Sequence, residues 1–206
     1  MRKIISILST LLLVLLLVVG GLYIYYGGTK TIIFAQKQQG GEILVYLERY
    51  GDYSQSGDIS EKIYWQLLNE FGLDSLKLVS GFGIFYDNPS DVAKDKLRSE
   101  IGCILDPSEA HRIPELKNTF IVNTFPKGVF TSVDFPYKGQ LSIFVGMFNF
   151  YRALNKIAKD NSPSYSEGPI MEIYNMKDSV ITYRLCGDKW NEFGSSRNEP
   201  MMSSER

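Results

Sequence analysis

From Ile4 to Tyr26 the chain carries no charged residue, and Leu11 to Val19 is an unbroken run of Leu and Val. About 20 apolar residues at 1.5 Å rise per residue match a ~30 Å hydrocarbon layer. A segment of this kind folds as a helix in lipid, because every backbone polar group must be satisfied within the segment. Arg2 and Lys3 precede it, and Tyr23, Tyr25 and Tyr26 close it as an interfacial aromatic belt would. A cleaved signal peptide is the competing reading. The length of the stretch and the lack of a small-x-small site before Gly20-Gly21 favour an uncleaved anchor. No Cys follows it, as a lipoprotein would require. The sequence thus divides into a basic flank (1–3), a transmembrane anchor (4–26), a tether (27–40), a folded domain (41–186) and a polar tail (187–206). Lys30 and Lys37 on the far side are sparser than the Arg2-Lys3 end, so the positive-inside rule keeps the N-terminus cytoplasmic. The expectation is a single-pass membrane protein with an extracytoplasmic domain, as in a bacterial envelope.

Charge narrows the function. Twenty-two basic residues against 23 acidic ones give a net charge of −1. A nucleic-acid binder needs a cationic surplus to displace phosphate counterions. Two Cys and one His are too few for a Cys/His zinc site. No Walker loop, nucleophile elbow or dinucleotide fingerprint is present, so no cofactor is expected. His111, beside Arg112 in a polar loop, reads as surface. Cys103 and Cys186 fall in predicted strands, where a pair is conceivable and buried free thiols are the commoner state.

The remaining chain alternates periods of two and of 3.6. Residues 31–35 suggest a short strand within the tether. Residues 42–49 alternate around Ile43, Val45 and Leu47, a strand. Asp58 and Glu61 have the spacing of a capping box. Ile59, Ile63, Leu67 and Phe71 then mark a helix that Gly72 stops. Residues 76–86 form a strand whose Gly81 and Gly83 suggest a bulge or a close approach. Asp87-Asn88-Pro89 is a turn, and 97–105 is a further strand. The second part repeats the order, with strands at 119–124 and 129–135. A helical stripe follows at Leu141, Phe144, Phe148, Tyr151, Leu154 and Ala158, read as core packing. After a loop at 161–168 come strands at 169–175 and 180–185. The fold class is α+β: duplicated strand–helix–strand–strand units with a pseudo-twofold cleft between them, preceded by one transmembrane helix. Clefts of that kind are preferred ligand sites.

Five stretches along residues 42–186 resemble the GyrI-like family of small-molecule-binding domains, known from gyrase inhibitory proteins and from effector modules of AraC-type and MerR-type regulators. They are Gly51-Asp52-Tyr53; Gly83-Ile84-Phe85-Tyr86-Asp87-Asn88-Pro89; Lys96-Leu97-Arg98-Ser99-Glu100-Ile101-Gly102-Cys103; Phe135-Pro136-Tyr137-Lys138-Gly139; and Met171-Glu172-Ile173-Tyr174. The anchor is similar to that of a membrane-bound branch that includes a testis-expressed ER-phagy receptor. That branch carries a long acidic tail with an aromatic-x-x-aliphatic motif. Here Trp190-Asn191-Glu192-Phe193 ends in Phe.

The resemblance implies an aromatic-lined cleft with a glutamate that meets cationic ligands, and Glu172 holds the matching position. A carboxylate in such a pocket is costly to keep charged. A bulky cation offsets that cost, and aromatic faces add about 0.5–2 kcal/mol each. Tyr174, two residues along the strand, faces the same way as Glu172. Tyr53, Tyr86 and Tyr137 are wall candidates by their places in the motifs. The plain alternative for Glu172 is a solvent-facing carboxylate paired with a lysine. The expected function is a membrane-anchored domain binding a cationic or amphipathic aromatic small molecule, more a binder than an enzyme. One alternative is an adaptor for a protein partner. The other is a cleft hydrolase in which Glu172 acts as general base and Tyr174 or Tyr137 orients the substrate.

Overall fold

The computed structural model describes residues 2–161 and 168–187. Most of the loop expected at 161–168 and the tail beyond Gly187, with its Trp190–Phe193 segment, lie outside the described residues. The apolar stretch is helix α1 (Arg2–Tyr25), exposed along its length and long and apolar enough to cross a membrane. Eight strands follow: β1 (Ala35–Gln39), β2 (Ile43–Tyr50), β3 (Leu78–Phe85), β4 (Arg98–Leu105), β5 (Ile121–Thr124), β6 (Gly128–Pro136), β7 (Ile170–Asn175) and β8 (Val180–Leu185). Helix α2 (Ser56–Asn69) lies between β2 and β3, the short α3 (Ile113–Leu116) between β4 and β5, and α4 (Gln140–Asn161) between β6 and β7. The α+β class and the element order agree with the sequence reading.

All strands join one antiparallel sheet in the order β1-β6-β8-β7-β3-β4-β2-β5. The series β2-α2-β3-β4 and β6-α4-β7-β8 share one plan, and in each the last strand lies between the other two. The two series meet at the β3–β7 pair.

The sheet cannot be flat. β1 and β2 are joined by residues 40–42 and β5 and β6 by residues 125–127, yet each pair is separated by several intervening strands. Six strand spacings would span about 29 Å, whereas such a connection reaches about 14 Å. The sheet therefore rolls until the two connections meet. Gly41 N–H donates to Phe125 O and Phe125 N–H to Glu42 O, both at 2.8 Å. The β1–β6 register (Gln39 opposite Gly128) runs through this contact into the β2–β5 register (Ile43 opposite Thr124) without a slip. Residues 35–46 and 121–132 thus form one bent ribbon, and each half lends its first strand to the other. Gly40 (φ +100°) permits the bend: a Cβ there would stand 2.0 Å from the Pro126 carbonyl oxygen.

The roll encloses Leu44, Tyr46, Phe82, Ile84, Phe125, Phe130 and Met171. Arg184 is buried among them, with its guanidinium 4.9 Å from the Phe125 ring and 5.6 Å from Phe130. Glu42 pairs with it at 2.6 Å, so the charge is compensated where removing either partner would be costly. The outer face carries both long helices. α2 buries Ile63 and Leu67 over Val45, Cys103 and Leu105, and α4 buries Phe150 and Leu154 over Val133, Phe135, Ile181 and Tyr183.

Several local expectations change. The tether is docked: its strand is 35–39, not 31–35, because Ile32 and Phe34 pack onto the α4 core while the Gln-rich segment pairs with β6. No Asp58 capping box starts α2. The helix continues a 3-10 turn at 53–55 in which the Asp52 carboxylate accepts from Ser54 N–H. The irregularity of β3 falls between Leu78 and Ser80, and of the two readings of its glycines the close approach holds, the Phe85 ring lying against Gly83. Leu141, Phe144 and Phe148, expected in the core, are exposed, Phe144 at 62% and Phe148 at 60%. Leu154 of that stripe is buried, and the Ala158 side chain lies outside the described residues. The buried face of α4 is set instead by Ser142, Gly146, Asn149, Phe150 and Leu154. Cys103 and Cys186 are both buried and free, Cys103 under α2 and Cys186 inside the roll. Burial pushes both thiols up to about 12.

Candidate functional site

The β3–β7 seam on the helix-bearing face is where the two halves contribute most unequally. Cross-strand partners share a face in an antiparallel pair. Here Glu172 and Tyr174 of β7 stand opposite Gly83 and Gly81 of β3. One strand supplies a carboxyl and a phenol, and its neighbour supplies no side chain. On the other flank Tyr183 of β8 stands opposite Glu172. The Phe85 ring folds over Gly83, where a Cβ would come within 2.7 Å of it.

Glu172 is 1% exposed. Tyr174 donates to its Oε2, and Tyr151, reaching across from α4, donates to its Oε1 at 3.2 Å. Burial raises its pKa to about 7, against the lowering effect of the two phenol hydrogen bonds. Burial and the neighbouring carboxyl also hold Tyr174 and Tyr151 well above the usual phenol range. Both phenols are therefore neutral donors at any ordinary pH. Tyr183, its ring stacked on Phe150 at 4.4 Å, has a buried hydroxyl with no hydrogen-bond partner among the described residues. Among the described residues Glu172 takes part in no ion pair. Nor do three His, Cys, Asp or Glu side chains gather where a metal ion could be held.

Tyr151 joins this buried carboxyl to the surface. With Phe144, Met147, Phe148, Arg152 and Asn155 it forms a shallow, open patch, all six residues coming from α4. Arg152 lies over the Phe148 ring at 5.7 Å.

The other residues expected at the site are dispersed. Tyr53, on the 3-10 turn before α2, packs edge-on against Phe85 at 4.8 Å. Its hydroxyl donates to Arg98 O (2.8 Å) and accepts from Asp87 N–H (3.1 Å), which anchors one end of the seam. Asp87 is more than a turn residue: Arg98 grips its carboxylate with two nitrogens and holds it below the usual carboxylate range. Tyr86, one place beyond Phe85, points to the opposite face. It donates to the buried Glu100 at 2.5 Å and lies under Arg98, apart from Glu172. Tyr137 packs on the α4 core, and its N–H donates to Ser179 O at the far end of β8. The structure thus gathers Glu172, Tyr174 and Tyr151, sets Tyr53 at the end of the seam, and separates Tyr86 and Tyr137. Tyr151 was missed as a site residue because its helical spacing reads as core packing, and nothing in the sequence ties it to Glu172.

No family model matches this sequence, and no curated protein matches it. Among solved structures, the EcmrR C-terminal domain aligns over 75% of this chain and 96% of its own, with 15% identity and a TM-score of 0.48. SAV2435 bound to tetraphenylphosphonium aligns over 74% and 92%, with 12% identity and a TM-score of 0.45. An integron cassette protein from the mobile metagenome of Vibrio cholerae aligns over 76% and 98%, with 14% identity and a TM-score of 0.46.

Proposed function

We propose that this chain is a membrane-anchored, GyrI-like binding domain that takes up a bulky aromatic cation between α4 and the β3–β7 seam, with Glu172 as its counter-charge. We read the two strand–helix–strand–strand halves as copies of one unit, related by a pseudo-twofold at that seam. The observation that carries the binding reading is a carboxyl 1% exposed whose named partners are phenols. A site like that holds a charge poorly while empty and well once a cation arrives. Moving Tyr151 aside would connect the carboxyl to the open patch of Phe144, Met147 and Phe148, where the two Phe rings supply cation–π attraction and Met147 supplies apolar contact. Tyr53 and Phe85 would close one end. Binding is favoured over turnover because the groups that touch the carboxyl are phenols held well above their usual range, and so are poor proton carriers for a hydrolysis. α1 would hold the domain at the membrane, with the Arg2-Lys3 end cytoplasmic.

Equilibrium binding of tetraphenylphosphonium to the full chain in nanodiscs at pH 8 tests the site. Glu172→Gln should weaken it by about 2 kcal/mol, roughly thirtyfold. Glu100→Gln, a buried carboxyl on the other face, should leave it unchanged. Equal affinity in the Glu172→Gln chain, or no binding of any aromatic cation, removes the reading and leaves a tethered adaptor. For orientation, a reporter fused after Arg206 should be active only outside the cytoplasm.

A further inference from the structure

One end of the domain is built around the exit of α1. The Lys138 ammonium donates to Tyr25 O at 2.9 Å and lies 4.8 Å from the Tyr25 ring. The Asn149 amide donates to Gly28 O at 3.1 Å, and Gly27 sits against the Phe135 and Pro136 rings. The last turn of α1 is therefore fixed to the β6–α4 connection, not joined to it by a loose linker. The turn between β7 and β8 belongs to the same end. Pro136 is paired with Val180, Val180 with Asn175, and Tyr137 N–H donates to Ser179 O.

This end exposes apolar side chains. Met176 at the tip of the β7–β8 turn is 60% exposed, and Leu141 and Phe144 on the first turns of α4 are exposed as well. Residues in a tight turn between polar neighbours (Asn175, Lys177, Asp178) have no packing reason to be apolar there. They come from two separate elements and share only their proximity to the clamped end of α1.

We infer that this end rests on the bilayer that α1 crosses, with Met176 and Leu141 in the headgroup–acyl boundary. The clamp supplies the orientation. Because α1 cannot swivel freely on the domain, crossing the membrane brings this end down to the lipid surface. Apolar side chains at the boundary then lose water contact without a protein partner. The inference rests on α1 spanning the membrane.

The test uses the full chain in phosphatidylcholine vesicles containing lipid spin-labelled near the headgroup. Four variants carry one polarity-sensitive fluorophore each: Met176→Cys, Leu141→Cys, Tyr50→Cys at the opposite end of β2, and Leu15→Cys within α1. The native thiols stay unlabelled because both are buried. The Met176 and Leu141 probes should lose most of their emission, and the Tyr50 probe almost none. A Leu15 probe quenched by lipid labelled deep in the acyl chain, with Met176 and Leu141 as bright as Tyr50, overturns the inference while leaving the anchor intact. An unquenched Leu15 probe overturns the anchor and the inference together.

Discussion

The two halves share one plan but use it differently. α2 buries Ile63 and Leu67, and of its outward residues Asp58, Glu61, Lys62 and Asn69 are polar; the Trp65 indole donates to Glu61. α4 buries Phe150 and Leu154, exposes Phe144 and Phe148, and sends Tyr151 to a buried carboxyl. The seam strands differ in the same way, Gly81 and Gly83 in β3 against Tyr174 and Glu172 in β7. The first half thus leaves space at the seam, and the second fills it with ionisable side chains. A shared scaffold lets one half keep the sheet stable while the other carries a group that costs stability.

Four substitutions would break or sharpen that contrast. Phe150→Ala removes a fully buried ring stacked on Tyr183 and should cost about 3–5 kcal/mol in denaturant unfolding of the micelle-held chain. Glu172→Gln should act in the opposite direction at alkaline pH. The carboxyl titrates near 4.5 when unfolded and at about 7 when folded, so the native state binds its proton more tightly. Stability from this group is complete below pH 4.5, falls as pH rises toward 7, and stays low above that. The variant should therefore gain up to about 3 kcal/mol at pH 8 and nothing at pH 4. A wild-type stability that does not fall between those pH values would show that Glu172 is not the costly group. Tyr151→Phe removes one hydrogen bond to the carboxyl. It should cost about 1 kcal/mol at pH 8 and move the pH midpoint upward. Phe148→Ser, on the outward face of the same helix, should change stability by less than about 0.5 kcal/mol. A large loss there would mean that α4 has no free face.

The strand and helix order was legible because alternation in residues 42–49 and the four-residue repeat from Ile59 to Phe71 each admit one reading. Glu172 beside Tyr174 on one face follows from strand parity alone. The α4 stripe was misread because that helix is apolar on two sides. Periodicity finds the stripe through Leu141, Phe144 and Phe148 as readily as the one through Gly146, Phe150 and Leu154. The small residue Gly146, which permits close approach to Phe135 and Tyr183, was the available clue. β1 was displaced because a Gln-rich segment reads as coil until a pairing partner nearly a hundred residues later is known. The same applies to Tyr86, whose parity with Phe82 and Ile84 sends it inside the roll, a fact hidden behind its place in a sequence motif.

The reciprocal loan of β1 and β5 has a consequence for biosynthesis. Residues 35–39 are made soon after α1, but their hydrogen-bonding mate is not complete until Ser132 has been made. A cut between β4 and β5 would therefore leave each fragment holding the other's edge strand, so neither could mature alone. The β1 edge therefore stays unpaired until β6 has been made, and this part of the sheet closes late.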